Sequence, residues 1–377
     1  MKKLIISKLY LTTFFLMSFL FLLALPAKAG TLYNYPYLYK GIRSLGMGGA
    51  FTAVGKDAEA LFYNPAGLYD MGLKIAILNP LVEVDQNITA LATDAQNAMG
   101  KNTDTARTNA LTDLISKNMG KPLHGKVSLF PHVAVKNYAI GVIGQGMVDA
   151  RLHNPLGSQG AVEVSAGYEY GPVAGFSIKP PLAGLRIGAG AKYISNSWYE
   201  KQITVTDIAS QKIEPSKDMV SKSDLSLDIG LLYDIGLPAV EFLKPKAGLS
   251  IVDITDLDFQ SSGKGRKIPM RANLGISINP SIPILADTTI AFDYQDITGA
   301  YEQDKSIGKR IHIGGEVGFL SRRILLRAGL NQGYPSLGAE LNIAIFKIGY
   351  VYYTEEMGAY AGQDKDTRQI IQLSLGW

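Results

Sequence analysis

Arg368-Gln369-Ile370-Ile371-Gln372-Leu373-Ser374-Leu375-Gly376-Trp377 closes the sequence. In an extended strand alternate side chains share a face, so Ile371, Leu373, Leu375 and Trp377 line up on one side. A fully apolar face that finishes on an aromatic is expected of a strand with hydrocarbon on one side and a polar lumen on the other. Such a closing strand is also the element that barrel-assembly machinery would take up.

The alternation recurs upstream. Leu225, Leu227, Ile229, Leu231 and Tyr233 oppose Ser226, Asp228, Gly230 and Asp234. Ala272, Leu274, Ile276 and Ile278 oppose Arg271, Asn273, Gly275 and Ser277, and in 310–319 His312 and Glu316 oppose Ile311, Ile313 and Val317. A lipid-facing Arg or Lys near the bilayer midplane costs ~2–4 kcal/mol, which gives this segregation an energetic meaning. Counting such segments from 72–84 to 367–377 predicts about fourteen strands, an even number as a closed single-chain barrel requires. The predicted fold is all-β: a transmembrane antiparallel β-barrel. A soluble β-sandwich would show the same alternation with the faces exchanged; the export signal described next and Trp377 favour the barrel.

Residues 1–29 have the form of a signal peptide. Lys2, Lys3 and Lys8 precede an apolar run from Leu9 to Leu25, then Pro26 and the small-residue site Ala27-Lys28-Ala29. A retained membrane anchor is the alternative reading of the same run. With a cleaved signal the mature chain begins at Gly30, is exported, and resides in the outer membrane of a Gram-negative bacterium.

No cysteine occurs, which excludes a lipoprotein anchor, disulfides and thiolate metal sites. The four histidines, His124, His132, His153 and His312, are scattered, so no metal is expected. The net charge of +4 includes signal-peptide lysines, and the basic residues are dispersed among acids, so no nucleic-acid partner is expected. Asp253, Asp256 and Asp258 are either solvated loop acids or a divalent-cation site. No catalytic constellation and no cofactor motif appears, and the chain does not read as an enzyme. Gly49–Lys56 has the wrong glycine spacing for a phosphate loop, and Gly46-Met47-Gly48 lacks the third glycine of a dinucleotide fingerprint.

The predicted connections alternate between short and long. The longest, within 85–120, reads as an extracellular loop of two helices, 86–99 and 103–119, split by Gly100-Lys101-Asn102. It is either a packed cap over the barrel mouth or a helical gate that helps to capture an apolar ligand. Trp198 and Tyr199 are expected in an outer aromatic girdle.

A barrel of this size, 72–377, encloses a lumen that needs a plug. Residues 30–71 do not read as barrel strands and hold the densest small-residue stretch, 41–55. Its glycines permit left-handed turns and close backbone approach, and Asp57 is a candidate N-cap for a short helix over 58–62.

The stretch Arg43-Ser44-Leu45-Gly46-Met47-Gly48-Gly49-Ala50, followed by Asn64-Pro65-Ala66-Gly67-Leu68, resembles the N-terminal hatch of the FadL superfamily. Those are outer-membrane transporters of long-chain fatty acids and other hydrophobic compounds. It is also similar to their PorV-like and TraF-like relatives. The resemblance implies a hatch motif at Gly46, Gly48, Gly49, Asn64, Pro65, Ala66 and Gly67, beneath a ligand pocket. It also implies a sideways opening in the wall, for which Pro131, Gly144, Gly146, Gly171 and Pro172 are the candidates, since proline and glycine loosen strand pairing.

The expected function is passive uptake of hydrophobic small molecules such as long-chain fatty acids, with outer-membrane lipid and a hydrophobic small-molecule ligand as partners. The alternative is a PorV-like or TraF-like accessory barrel that binds partner proteins in secretion or conjugation.

Overall fold

The computed structural model describes residues 37–376 apart from 155–160, 212, 262–263, 283–286 and 301–305. The expected signal peptide and Trp377 therefore lie outside the described residues.

In chain order, α1 (Ile42–Gly46) and α2 (Ala60–Tyr63) precede β1 (Met71–Leu78) and β2 (Leu81–Asp85). Then come α3 (Gln86–Met99), α4 (Asp104–Lys117), β3 (Pro122–Leu129), β4 (His132–Lys136), β5 (Tyr138–Leu152), β6 (Val162–Ile178) and β7 (Leu185–Ile203). Two short helices, α5 (Val205–Ala209) and α6 (Pro215–Asp218), lead to β8 (Val220–Asp234), β9 (Lys246–Val252) and the small pair β10 (Leu257–Asp258) and β11 (Lys267–Ile268). The chain continues through β12 (Arg271–Ile278), β13 (Asp287–Tyr294), β14 (Ile311–Phe319), β15 (Ile324–Asn331), β16 (Tyr334–Ile343), β17 (Phe346–Glu356) and β18 (Lys365–Gly376).

All but β10 and β11 form one antiparallel sheet that closes where β18 pairs with both β1 and β2. β1 and β2 are two halves of one wall strand, broken at Asn79-Pro80, and β3 and β4 are two halves of the next, broken at Phe130-Pro131. Counted as wall strands, the cylinder has fourteen.

The alternation sorts as predicted. Leu225, Leu227 and Ile229 are about half exposed on the outside, whereas Ser226 and Asp228 are buried within. Ile371 and Leu373 face outward in the same way, while Arg368 is buried in the lumen. The surface is apolar and the interior polar, the reverse of a soluble domain and the arrangement a bilayer demands. The wall is uneven in height: β5 to β8 run 15 to 19 residues, β12 to β16 only 8 to 10.

The two long helices form where expected. Asp85 caps α3 by accepting from Ile88 N at 2.8 Å, and Thr103 caps α4 by accepting from Ala106 N at 3.2 Å. They pack together through Leu91, Ala98, Leu111 and Ile115, and onto Leu152, Val162, Val205 and Ala209 at the tall rim. This small core makes the insertion a cap seated on the β5–β7 side. The expected outer girdle differs at one place: Trp198 and Tyr199 are buried, with Trp198 turned into the lumen beneath the Arg266 guanidinium.

Candidate functional site

Residues 37–70 lie inside the barrel. Along one side of the lumen their backbone is stitched to the wall. Asp293 accepts from Phe51 N at 2.7 Å and Thr52 N at 2.8 Å. Gln295 donates to Gly49 O at 2.7 Å, Ser277 to Ala53 O at 2.9 Å, and Ser336 to Leu45 O. Asn64 donates to Thr52 O at 2.8 Å and to Leu231 O at 3.0 Å while its own carbonyl caps Ala66 N, so one side chain ties two hatch turns to β8. A buried backbone must find such partners or pay a desolvation cost of kcal/mol per group.

The backbone can come this close because the wall strands turn glycines toward it. A Cβ at Gly230 would fall on the Asn64 amide, at Gly248 on Thr52 O, at Gly314 on Met47 O and at Gly329 on the Gly48 backbone. In the hatch, Gly48 and Gly49 hold φ of 61° and 84°, a left-handed turn that puts the Gly48 carbonyl 2.8 Å from His312 Nδ1.

On the opposite side the contact is mainly apolar. Tyr39 and Phe62 of the hatch meet Phe130 of the wall, with ring centroids 4.9 to 5.5 Å apart, and Leu61 and Leu68 share that cluster with Ile143, Val173 and Ile194. Phe130 stands where β3 gives way to β4, level with the break between β1 and β2. There the Asn79 side chain replaces the missing ladder, donating to Phe130 O at 2.7 Å and accepting from Phe130 N at 2.8 Å.

Below the hatch, at the short-turn end, lies a cavity of about 240 Å³ lined by both the hatch and the broken wall. Arg43 of α1 crosses it to Glu316 at 2.8 Å, and Arg327 and Arg322 reach the same carboxylate at 2.7 and 3.2 Å. Glu59 accepts from Arg43 N and Ser44 N, each at 3.1 Å, and so caps α1. Burial, and then the neighbouring Asp57 charge, lift the Glu59 carboxyl to about 7. Burial pushes Asp57 the same way, but the Lys74 and Arg43 charges overcome it and hold that carboxyl well below the usual range.

The seven expected hatch-motif residues fall in this stitched unit. Gly46 packs on Gly338 and Arg327, Pro65 and Ala66 on Gly188, and Gly67 against Val54 O and Ala60. Asp57 does not cap a helix over 58–62; the helix starts at Ala60, and Asp57 takes Glu59 N and the Arg43 side chain instead.

The candidate opening residues are spread over three seams. Pro131 is the break in the second wall strand, and its carbonyl accepts from Val142 N at 3.0 Å. Gly144 and Gly146 pair with Leu129 and Val127 and with β6. Gly171 and Pro172 pair with β5 and interrupt the pairing with β7 without a register shift, Gly171 abutting the Tyr193 carbonyl. In this structure the wall is shut across them.

Asp253, Asp256 and Asp258 diverge: Asp253 is a buried partner of Lys192 (2.7 Å) and Arg271 (3.0 Å), whereas Asp256 pairs with Lys267 at 2.9 Å. Charge partners, not a shared ion, account for them, and among the described residues no cluster of three or more His, Asp or Glu is placed to hold a metal. Sequence reasoning passed over Asn79, Phe130 and Glu59. The usable signal was a Pro after each break, Pro80 and Pro131, at matching height in neighbouring strands.

This geometry has counterparts among solved structures. A Pseudomonas aeruginosa FadL homologue matches with 11% identity and a TM-score of 0.50, over 92% of this chain and 99% of that one. The chain has a FadL-type fold. The Pseudomonas putida toluene transporter TodX matches at 11% identity and TM-score 0.47, over 93% of this chain and 98% of that one. The CymD monoaromatic hydrocarbon channel matches at 12% and 0.48, over 91% and 98%. At these identities the likeness shows the FadL-type barrel fold alone. No family model and no curated protein matches the sequence.

Proposed function

We propose that this FadL-type barrel lets hydrophobic small molecules cross the outer membrane passively, long-chain fatty acids being the cargo class the hatch resemblance implies and monoaromatic hydrocarbons the class named for TodX and CymD. The observation that carries the reading is the asymmetric seating of the hatch. Wall side chains bonded to its backbone hold it on one side; on the other, mainly apolar packing holds it against a wall where two neighbouring strands break at the same height, the Asn79 amide bridging the interruption between their two ladders. Parting Tyr39 and Phe62 from Phe130 exposes an apolar surface to a ligand, and releasing Asn79 opens a seam through which it can leave sideways. Pro131 sits in that seam, with Gly144 and Gly146 in the strand beside it and Gly171 and Pro172 one strand further. No nucleotide is needed, since an apolar molecule gains free energy on reaching hydrocarbon.

The dense ion pairing of the lumen favours a second reading, an accessory barrel of fixed interior that binds partner proteins at its rim. Uptake into proteoliposomes separates the two. Entry of oleate or toluene above the rate of empty vesicles, with apolar ligand retained on purification in mild detergent, supports transport. Uptake equal to empty vesicles, with protein partners captured at the rim, supports the accessory role.

A further inference from the structure

The polar cavity beneath the hatch is lined by more cationic than anionic side chains, and both an Arg327 donor and the Asn342 Oδ1 acceptor are buried there without a partner. Its acids are already engaged. Glu340 takes Arg327 at 2.8 Å, Asp57 takes Arg43 at 3.4 Å and Lys74 at 3.9 Å, and Glu59 is spent on backbone N–H groups of α1. Just behind the lining, Glu316 is shared among three guanidiniums. Against these, Lys347 lines the cavity with no hydrogen-bond or ion-pair partner among the described residues. The Nη1 of Arg327, a residue only 4% exposed, is buried without an acceptor. Lys74 donates to the Lys56 carbonyl at 2.6 Å, and its charge is met by a carboxylate only at long range, Asp57 at 3.9 Å. Of the charged groups on the lining, five are cations (Arg43, Lys74, Arg322, Arg327, Lys347) and three are acids (Asp57, Glu59, Glu340).

We propose that this cavity is a binding site for a small oxyanion of the phosphate or carboxylate class, entered from the short-turn end. Charge-assisted donors converging from fixed strands are what such an ion requires, and they act more strongly where water is scarce. A space of about 240 Å³ accommodates the ion with several waters, each of which occupies about 30 Å³. The charged part of the lining does not suit the apolar cargo proposed above, although the same cavity also touches Tyr39, Phe130 and Asn79 of the proposed route. Lys74 is on β1, Arg327 on β15, Lys347 on β17 and Arg43 in the hatch, so a bound oxyanion would tie hatch to wall beside the broken strands.

The test is calorimetric titration of the full-length barrel in a non-ionic detergent at low ionic strength, with inorganic phosphate in one arm and sodium acetate in the other, both corrected against chloride. Lys347→Gln and Lys74→Gln are compared with Lys117→Gln on the exposed face of α4, and heat-modifiable gel migration confirms that each variant is folded. The expected result is saturable binding of at least one ion, weakened about tenfold by each cavity variant and unaffected by Lys117→Gln. The arm that binds more tightly assigns the chemistry. Failure of both ions to saturate the wild type, or equal binding by wild type and both cavity variants, overturns the proposal.

Discussion

The two sides of the lumen hold the same short segment by different physics. Against β8 to β16 the hatch presents backbone, and the wall answers with glycines and directed polar groups such as Asp293, Gln295 and Ser277. Against β3 to β7 it presents chiefly Tyr39, Leu61, Phe62 and Leu68 to Phe130, Ile143, Val173 and Ile194, with fewer polar ties, Gln145 to Leu38 O at 2.6 Å and Ser177 to Ala66 O at 3.2 Å. Hydrogen bonds from wall side chains to the hatch backbone specify one geometry and fail together when shifted. Apolar contacts have no direction and can be exchanged, one at a time, for contacts with a ligand. The contrast assigns the first side the role of anchor and the second that of the surface that parts.

The largest effect is expected from filling the anchor's glycine spaces. Gly314→Val puts a side chain onto the Met47 carbonyl and should prevent hatch seating, seen as rapid hydrogen exchange and protease cleavage across 41–55. Gly144→Ala, which meets nothing within 4 Å, should be silent in both assays. If both variants behave alike, the distinction between the two sides fails. On the other side, Phe130→Ala should cost about 3–5 kcal/mol of local stability, leave the anchor's exchange protection unchanged, and raise leak of small apolar molecules.

Acidity should tune the joint between them. The seated hatch lifts Glu59 from an ordinary 4.5 to about 7, so its ionised form is the disfavoured one. The stability this contributes is complete below about pH 4.5 and is lost as pH rises through about 7, a change of about 3 kcal/mol. The protection factors of the α1 amides, with base-catalysed intrinsic exchange divided out, should therefore fall from pH 5 to pH 8, and Glu59→Gln should flatten that dependence. The smallest effect is assigned to Asn79→Ala, about 1–2 kcal/mol, confined to faster exchange at Phe130 and its strand neighbours. Loss of protection on the anchor side in that variant would blur the comparison.

The wall was legible because a strand's period of two survives any loop, and lipid outside with charge inside punishes a slip of one residue. Segments such as 224–234 therefore read correctly residue by residue. Gly230 and Gly275 were visible on the polar face, yet their purpose was not, since nothing in a strand says which backbone will pass its glycine. The sites that required two distant segments were likewise hidden: Asn79 with Phe130, Glu59 with the start of α1, and Asp253 with Lys192 and Arg271. Trp198 misled because an aromatic at a strand end suits the interface by composition, while the phase of β7 turns it inward.

The central claim is that movement of the hatch opens the path. The chain contains no cysteine, so a pair introduced as Lys40→Cys and Glu355→Cys, where hatch and β17 form an ion pair, can be bridged with a short reducible cross-linker without competing thiols. Uptake of labelled oleate and toluene into proteoliposomes is then measured before and after reduction. The account predicts that the bridged barrel falls to the rate of empty vesicles and recovers when the bridge is cut; equal uptake in both states would contradict it.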